Sequence, residues 1–128
     1  MSDRAPSGTP VEIVTEFLDA VENGDFRRAG QMLSSEGFSY RGPIDQFDTA
    51  KAFLDDLARI STILKRIERR RFFSDGNEVC AIVTYVTTVE DVANTRAAHW
   101  LRIENGLIVS IEGFLDARAY ARMFEPEL

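Results

Sequence analysis

The stretch HWLRIENGLIVSIEGFLD, residues 99–116, decides the fold. An Asn-Gly pair, Asn105 and Gly106, stands between two segments in which apolar residues recur. Such a pair is a strong signal for a tight β-hairpin, because both residues tolerate the left-handed backbone that the turn requires. We therefore predict two long antiparallel strands, over residues 96–104 and 107–115. His99, the only histidine of the chain, lies in the first of them.

Two further strands precede this hairpin. Residues 63–73 and 78–88 are dense in β-branched and aromatic side chains, and the sequence Asp75-Gly76-Asn77 between them is typical of a hairpin turn. The polar residues 90–94 predict a loop to the next strand. The sequence after residue 60 is therefore predicted to be mostly antiparallel sheet.

The first half of the chain carries helix signals. Thr9, Pro10 and Glu12 form the pattern of a capping box with proline in the first turn. Apolar residues at helical spacing follow as far as Asn23-Gly24, which predicts the end of the helix. Shorter elements are expected next: a helix capped by Asp25, a strand at 38–41 that Gly42-Pro43 ends, a helix at about 48–60, and a final helix capped by Asp116.

Helices first and hairpin-connected strands later predict an α+β fold, with an antiparallel sheet and helices on one of its faces. We expect a loose tail over residues 1–8 and a single domain over residues 9–128. A long, strongly curved sheet around the first helix would leave a cone, and the mouth of a cone is a natural apolar pocket.

Composition limits the function classes. A formal net charge of −6 argues against a nucleic-acid partner. One cysteine, Cys80, and one histidine provide neither a disulfide nor a usual transition-metal site, and no glycine-rich phosphate loop follows a strand. No segment reaches the roughly 18 apolar residues of a membrane helix, and the first residues lack a signal sequence. We expect a cytoplasmic protein with no cofactor and no membrane contact.

Four stretches carry a family resemblance: residues 17–25, the strand that ends at Gly42-Pro43, the Asn105-Gly106 hairpin, and residues 113–116. Together they resemble the nuclear-transport-factor-2-like superfamily, and most closely its SnoaL-like and ketosteroid-isomerase-like branch. The resemblance implies a cone-shaped, cystatin-like sheet wrapped around a long N-terminal helix. It implies no single activity, because this fold hosts isomerases, cyclases, hydrolases and non-catalytic binding domains.

The same resemblance can be tested residue by residue. It places His99 where the isomerases keep a protonated acid that binds the substrate oxyanion. Their second donor, a tyrosine, falls on Phe17, and their catalytic aspartate falls on Arg41 or Gly42. A proton shuttle cannot run without its base, so we do not expect steroid isomerase activity. In the cyclases one acid–base residue faces the pocket, and His99 or Asp45 is placed to serve.

Two interpretations of His99 remain open. Strand alternation puts it on one face with Ala97, Leu101 and Ile103. An imidazole with an unperturbed pKa of about 6.5 on a pocket wall is an acid–base group or a hydrogen-bond donor. The other interpretation is a core histidine bonded to a neighbour. Asp45 is likewise either a catalytic group or a turn residue.

Other residues are assigned by face. We predict that the ligand contacts seven inward-facing side chains: Phe17, Phe38, Tyr40, Tyr85, Leu101, Ile111 and Leu115. Phe38 and Tyr40 would also suit simple packing. On the opposite face, three large apolar side chains would form an awkward exposed patch on a monomer: Trp100, Ile108 and Phe114. The superfamily often pairs through this sheet face, so a homodimer is expected.

Two functions are compatible with these residues. The first is a small pocket protein that binds or acts on a small hydrophobic molecule, as a cofactor-independent isomerase, cyclase or hydrolase with His99 as acid–base group. The second is a non-catalytic ligand-binding or dimeric partner domain. The missing isomerase carboxylate and tyrosine favour the second, and a titratable side chain on an apolar face favours the first.

Overall fold

The structure is a computed structural model that describes residues 8–90 and 93–116, without the side chains of Arg69 and Arg70. Within these residues the structure has three helices: α1 (Pro10–Glu22), α2 (Phe26–Gln31) and α3 (Ala50–Ile60). The same residues contain six strands: β1 (Ser39–Arg41), β2 (Gln46–Phe47), β3 (Leu64–Asp75), β4 (Glu78–Thr87), β5 (Asn94–Glu104) and β6 (Leu107–Leu115). Most of the predicted tail and the predicted last helix lie outside the described residues.

Local side-chain bonds set the helix starts. The Thr9 hydroxyl accepts from the Glu12 amide at 3.2 Å, and the Glu12 carboxylate accepts from the Thr9 amide at 2.9 Å. The predicted capping box is therefore confirmed. Helix α3 begins later than predicted, because the Thr49 hydroxyl accepts from the Ala52 amide and makes Thr49 the cap.

The sheet has the strand order β2-β1-β6-β5-β4-β3. Its four long strands are joined by hairpins and pair antiparallel, as predicted. Strand β1 adds to the edge of β6 in the parallel sense, with Tyr40 beside Ile111, a pairing that the sequence did not predict. The α+β class with a curved, open sheet is confirmed.

The core lies between helix α1 and the concave face of the sheet. Apolar side chains of α1 pack against the inward-facing side chains of the strands, and the core residues from both sides include Ile13, Val14, Phe17, Leu18, Val79, Val83 and Leu101. None of the helices within the described residues has the length and apolar composition of a membrane span. The remaining inward positions surround a cavity at the wide end of the sheet.

The prediction for one interface residue is wrong. Ile108 is fully buried, whereas the strand alternation placed it on the outer face with Phe114. A β-bulge is responsible: Arg102 pairs with Ser110 but Ile103 pairs with Ile108, which leaves Val109 as an extra residue. An extra residue reverses the alternation on its far side, so Ile108 turns into the core.

One predicted ligand contact is also misplaced. Phe38 lies just before β1 and is only 2% exposed. Its ring packs on Phe53, with the ring centroids 5.5 Å apart, and it is absent from the cavity wall. The packing alternative that the sequence left open is the observed one.

Candidate functional site

A cavity of about 150 Å³ lies between the concave sheet face, α1 and α3. The short segment between β1 and β2 closes its rim with Pro43, Ile44 and Asp45. The wall is predominantly apolar, and its contributors from helices and strands include Phe17, Leu18, Val21, Phe53, Leu57, Ile60, Leu64, Ile67, Ala81, Leu101, Ile111 and Leu115. Concave, apolar cavities with a few polar groups are the usual form of small-molecule sites.

Part of this wall was predicted from the sequence. Both predicted catalytic residues, His99 and Asp45, line the cavity. Six of the seven predicted ligand contacts line it as well: Phe17, Tyr40, Tyr85, Leu101, Ile111 and Leu115. Their roles stay predictions, because the wall shows where these side chains lie and not what they bind.

His99 has one paired and one unpaired ring nitrogen. Its Nε2 lies 2.5 Å from the hydroxyl oxygen of Tyr85, and the two rings meet edge-on with centroids 5.7 Å apart. Nδ1 is sequestered from solvent and has no hydrogen-bond partner among the described residues. A buried polar atom without a partner is unfavourable by about 1–3 kcal/mol, so this nitrogen is a natural place for a ligand atom.

Burial also sets the charge of His99. Desolvation lowers the pKa of His99 from 6.5 to about 4. The sequence had suggested a pKa close to the unperturbed value, and that expectation is wrong. The imidazole is neutral at pH 7, so it acts there as a hydrogen-bonding group and not as an imidazolium acid.

Tyr40 lies close to His99 on the cavity wall. Its ring stacks on Phe53, with centroids 4.7 Å apart. Burial, followed by the negative charges of Asp56 and Asp45, raises the pKa of Tyr40 to about 12. The hydroxyl therefore keeps its proton at every ordinary pH and remains a neutral donor.

Gly113 lets Tyr40 and His99 pack closely against β6. A methyl group built at Gly113 would lie 2.9 Å from the Tyr40 hydroxyl oxygen and 3.3 Å from His99 Nδ1, so a larger residue at this position would force the Tyr40 side chain to shift.

Two carboxylates face this part of the cavity. Asp45 was predicted, and its backbone carbonyl also accepts from the Gly42 amide at 3.0 Å, as a turn residue does. Asp56 was missed, although it lies on the cavity wall with a side chain only 13% exposed. Its spacing from Phe53 and Ile60 on the apolar side of α3 was the signal that could have found it.

Among the described residues, the charged side chains on the cavity wall are acidic. Asp45 and Asp56 line the cavity, and within residues 8–90 and 93–116 neither lysine nor arginine lines it. Asp56 is paired with Arg59, whose side chain is half exposed beside the rim. Over the same ranges, no three histidine, cysteine, aspartate or glutamate side chains group as metal ligands would.

The outer face of the sheet carries the other predicted site. Trp100 is 46% exposed and Phe114 is 50% exposed, as the interface prediction required, and Phe73 on β3 joins them at 49%. The register places Phe73, Cys80 and Trp100 in one row across the sheet. The Trp100 indole N–H donates to the Glu78 carboxylate at 2.8 Å, which fixes the ring on this face.

A cone-shaped sheet with a helix-lined cavity at its wide end defines an NTF2-like fold. The model of the SnoaL-like domain family matches residues 14–111, so the chain belongs to the SnoaL-like family of the nuclear-transport-factor-2-like superfamily. Among proteins with curated functions, none matches significantly.

Solved structures agree on the fold. An NTF2-like protein of unknown function from Cytophaga hutchinsonii is 24% identical, with a TM-score of 0.76 over 98% of this chain and 100% of that one. TerC, co-crystallized with polyporic acid, is 16% identical, with a TM-score of 0.75 over 91% and 98%. A putative polyketide cyclase from Sinorhizobium meliloti is 13% identical, with a TM-score of 0.72 over 80% and 94%. At these identities the likeness establishes the fold alone.

The lowered pKa of His99 predicts a pH dependence of stability. Above about pH 6.5 His99 is neutral in both the folded and the unfolded chain. Between pH 6.5 and pH 4 the unfolded chain takes up a proton that the folded chain refuses, so the free energy of unfolding falls as pH falls. Over this interval the free energy of unfolding falls by on the order of 3 kcal/mol in total.

Chemical denaturation at several pH values checks this prediction. A His99→Gln variant is the control, because glutamine stays neutral throughout and retains polar atoms. We expect the wild-type curve to drop more steeply than the variant curve between pH 6.5 and pH 4. Parallel curves over that interval would contradict the assignment of a buried, neutral imidazole.

Proposed function

We propose that this protein binds a small, uncharged hydrophobic molecule in the cavity of the cone. One observation carries the proposal: an apolar cavity whose wall holds a sequestered imidazole with an unpartnered nitrogen. An apolar wall favours an apolar ligand by burial of its surface, and the unpartnered Nδ1 favours a ligand that carries one polar atom.

The family supports a ligand-binding or cyclase-type function. TerC was co-crystallized with polyporic acid, and another structural relative is described as a putative polyketide cyclase. Both statements concern those proteins, and they agree with a cavity that receives a small organic molecule.

The volume of the cavity limits the part of a ligand that it can enclose. An apolar cavity of about 150 Å³ accommodates a benzene-sized molecule. We therefore propose a one-ring ligand, or the ring end of a longer molecule that leaves through the rim beside Ile44.

Filling the cavity tests the proposal. Ala81 is fully buried on the cavity wall and pairs with His99 across the strands, so an Ala81→Leu side chain would occupy ligand space. Ala58→Leu is the matched control, because Ala58 is exposed on α3 outside the cavity wall. A one-ring probe such as acetophenone at 100 times its dissociation constant should add about 2.7 kcal/mol to the stability of the wild type.

We expect thermal unfolding to show this stabilisation for the wild type and the Ala58→Leu variant, and its loss for the folded Ala81→Leu variant. Equal stabilisation of all three proteins would place the ligand elsewhere. The absence of stabilisation of the wild type by any one-ring probe would remove the proposed function.

Catalysis is a second candidate, and the carboxylates near the Tyr40 hydroxyl favour it. A carboxylate beside a bound carbonyl compound is a suitable base for a proton next to the carbonyl group. In this candidate Asp45 removes the proton while His99, neutral at pH 7, donates a hydrogen bond to the carbonyl oxygen. The reaction is a cofactor-independent isomerisation or ring closure.

Exchange of the methyl protons of acetophenone with D2O, followed by NMR, tests the second candidate. We expect His99→Ala and Asp45→Asn to remove any protein-catalysed exchange while both variants stay folded. Asp55→Asn is the matched control, because Asp55 lies on α3 outside the cavity wall and pairs with Lys51. Binding without exchange in the wild type would instead favour the non-catalytic alternative.

We also propose a homodimer formed through the outer sheet face. The exposed apolar side chains of Phe73, Trp100 and Phe114 lie on neighbouring rows of one continuous surface. Arg71 lies over the Phe73 ring, with the guanidinium carbon 5.1 Å from the ring centroid, and gives the patch a polar margin. Apolar patches with polar margins are typical of protein interfaces.

Replacing the central tryptophan tests the dimer. A Trp100→Glu variant places a charge in the middle of the patch, so we expect it to elute as a monomer in size-exclusion chromatography with light scattering. Ile44→Glu is the matched control, because Ile44 is exposed at the cavity rim, away from the outer face. A Trp100→Glu variant that remains a dimer would refute this interface.

A further inference from the structure

We infer that the ligand of the cavity is a single ring that carries an uncharged apolar chain, and that this chain leaves through the rim across the side chain of Ile44. The inference rests on the proposed function and chooses between the two ligand shapes that it allows. Four features carry it: the exposure of Ile44, the turn that holds it, the volume of the cavity and the charges at the rim.

Ile44 is an exposed apolar side chain that the proposed dimer leaves uncovered. Within residues 8–90 and 93–116, four large hydrophobic side chains are exposed: Ile44, Phe73, Trp100 and Phe114. The last three lie on the outer sheet face, whereas Ile44 is 38% exposed at the cavity rim. A ligand that extends from the cavity over Ile44 would remove more apolar surface from water than a ligand confined to the cavity.

The turn that carries Ile44 is held by hydrogen bonds at its base. The Gly42 amide donates to the Asp45 carbonyl at 3.0 Å and closes the turn. Next to it, the Arg41 guanidinium donates to the Phe47 carbonyl at 3.3 Å and so links the two strands that the turn joins. Backbone that is already in place loses little conformational freedom on binding, so Ile44 is preorganised for contact with a ligand.

Apolar side chains from α3 and β3 continue this surface along the cavity wall. Leu57 and Ile60 of α3 and Leu64 of β3 line the cavity and are half-buried. The Ser61 hydroxyl, which lines the cavity among them, donates to the Ala58 carbonyl at 2.8 Å. Its proton is therefore satisfied within the protein, and a chain of CH2 groups suits this part of the wall better than a polar chain.

The volume of the cavity determines where such a chain lies. A space of about 150 Å³ holds a benzene-sized ring, so an attached chain of several carbons has to pass the rim. Pro43, Ile44 and Asp45 are the residues that the segment between β1 and β2 offers there. Ile44 has the largest apolar side chain of the three, so the chain gains most by lying against it.

Charge at the rim restricts the chain to uncharged groups. Asp45 is half-buried and lines the cavity beside Ile44. Burial, followed by the negative charges of Asp56 and Asp45, raises the pKa of Tyr40, so both charges act inside the cavity. Arg59 pairs with Asp56 from outside the wall, which leaves Asp45 as the main negative charge at the rim among the described residues. A carboxylate at the end of the chain would be repelled there.

Ligands that differ only in chain length test the inference. Acetophenone, para-ethylacetophenone and para-butylacetophenone share the ring and the polar group, and isothermal titration calorimetry with the wild-type protein measures each affinity. Burial of apolar surface predicts about twofold to fourfold tighter binding for each added CH2 group that the rim covers. We therefore expect para-butylacetophenone to bind at least about tenfold more tightly than acetophenone.

Three variants identify the surface that the chain contacts. Ile44→Ser removes the apolar side chain at the rim, so the gain of para-butylacetophenone over acetophenone should fall to about threefold or less. Ile44→Leu keeps apolar surface there and should retain the gain. Phe73→Ser is the matched control, because Phe73 is also apolar and exposed but lies outside the cavity wall, and it should retain the gain as well.

The end of the chain tests the restriction on charge. An acetophenone with a para-butanoate chain ends in a carboxylate, and its methyl ester is the uncharged equivalent. At low ionic strength we expect the acid to bind about fivefold or more weakly than the ester, and Asp45→Asn to narrow this difference. Equal affinities in the wild type, or an unchanged difference in Asp45→Asn, would overturn the restriction to uncharged chains.

The outcomes separate the inference from the proposed function. If acetophenone binds the wild type but the longer chains bring no gain, the cavity remains a ligand site and the inferred chain is overturned. A gain that survives in full in Ile44→Ser would place the chain elsewhere and would overturn the inference too. No binding of any member of the series to the wild type would overturn both the inference and the proposed function.

Discussion

The hydrogen bond between the Tyr85 hydroxyl and His99 Nε2 is the contact on which the candidate site depends. It holds the only imidazole of the chain on an apolar wall and fixes which of its nitrogens is paired. Because burial keeps that imidazole neutral, it offers hydrogen bonding within an apolar space and no fixed positive charge. The uncharged ligand with one polar atom that we propose follows from this one constraint.

The fold positions the Tyr85–His99 pair and Tyr40 by different means. Long antiparallel hairpins carry Tyr85 and His99 on neighbouring strands, where pairing fixes their spacing. Tyr40 arrives on a short parallel strand at the edge of β6, and its ring is held by stacking on Phe53 of α3. Strand pairing therefore sets the position of the imidazole, whereas side-chain packing sets the position of the tyrosine hydroxyl.

Local signals made most of the fold predictable from the sequence. The Thr9–Glu12 capping box and the Asn105-Gly106 turn each depend on residues close together in the chain, so their patterns can be read without tertiary information. Strand alternation likewise grouped His99 with Ala97, Leu101 and Ile103 on one face, and the family resemblance implied that this face lines the cone. The alternation failed at Ile108, because the bulge at Val109 is selected by the fit of two whole strands and leaves no local mark.

The chemistry of the site was less predictable, because it depends on distances between residues that are far apart in sequence. Neither the pKa of His99 nor the closeness of Gly113 to Tyr40 can be derived from spacing along the chain. An unpaired buried nitrogen lowers stability in the absence of a ligand, and natural proteins tolerate such groups mainly where function uses them. Under the proposed function, a ligand atom that reaches Nδ1 would recover that lost stability, and ligand binding would then stabilise the folded protein.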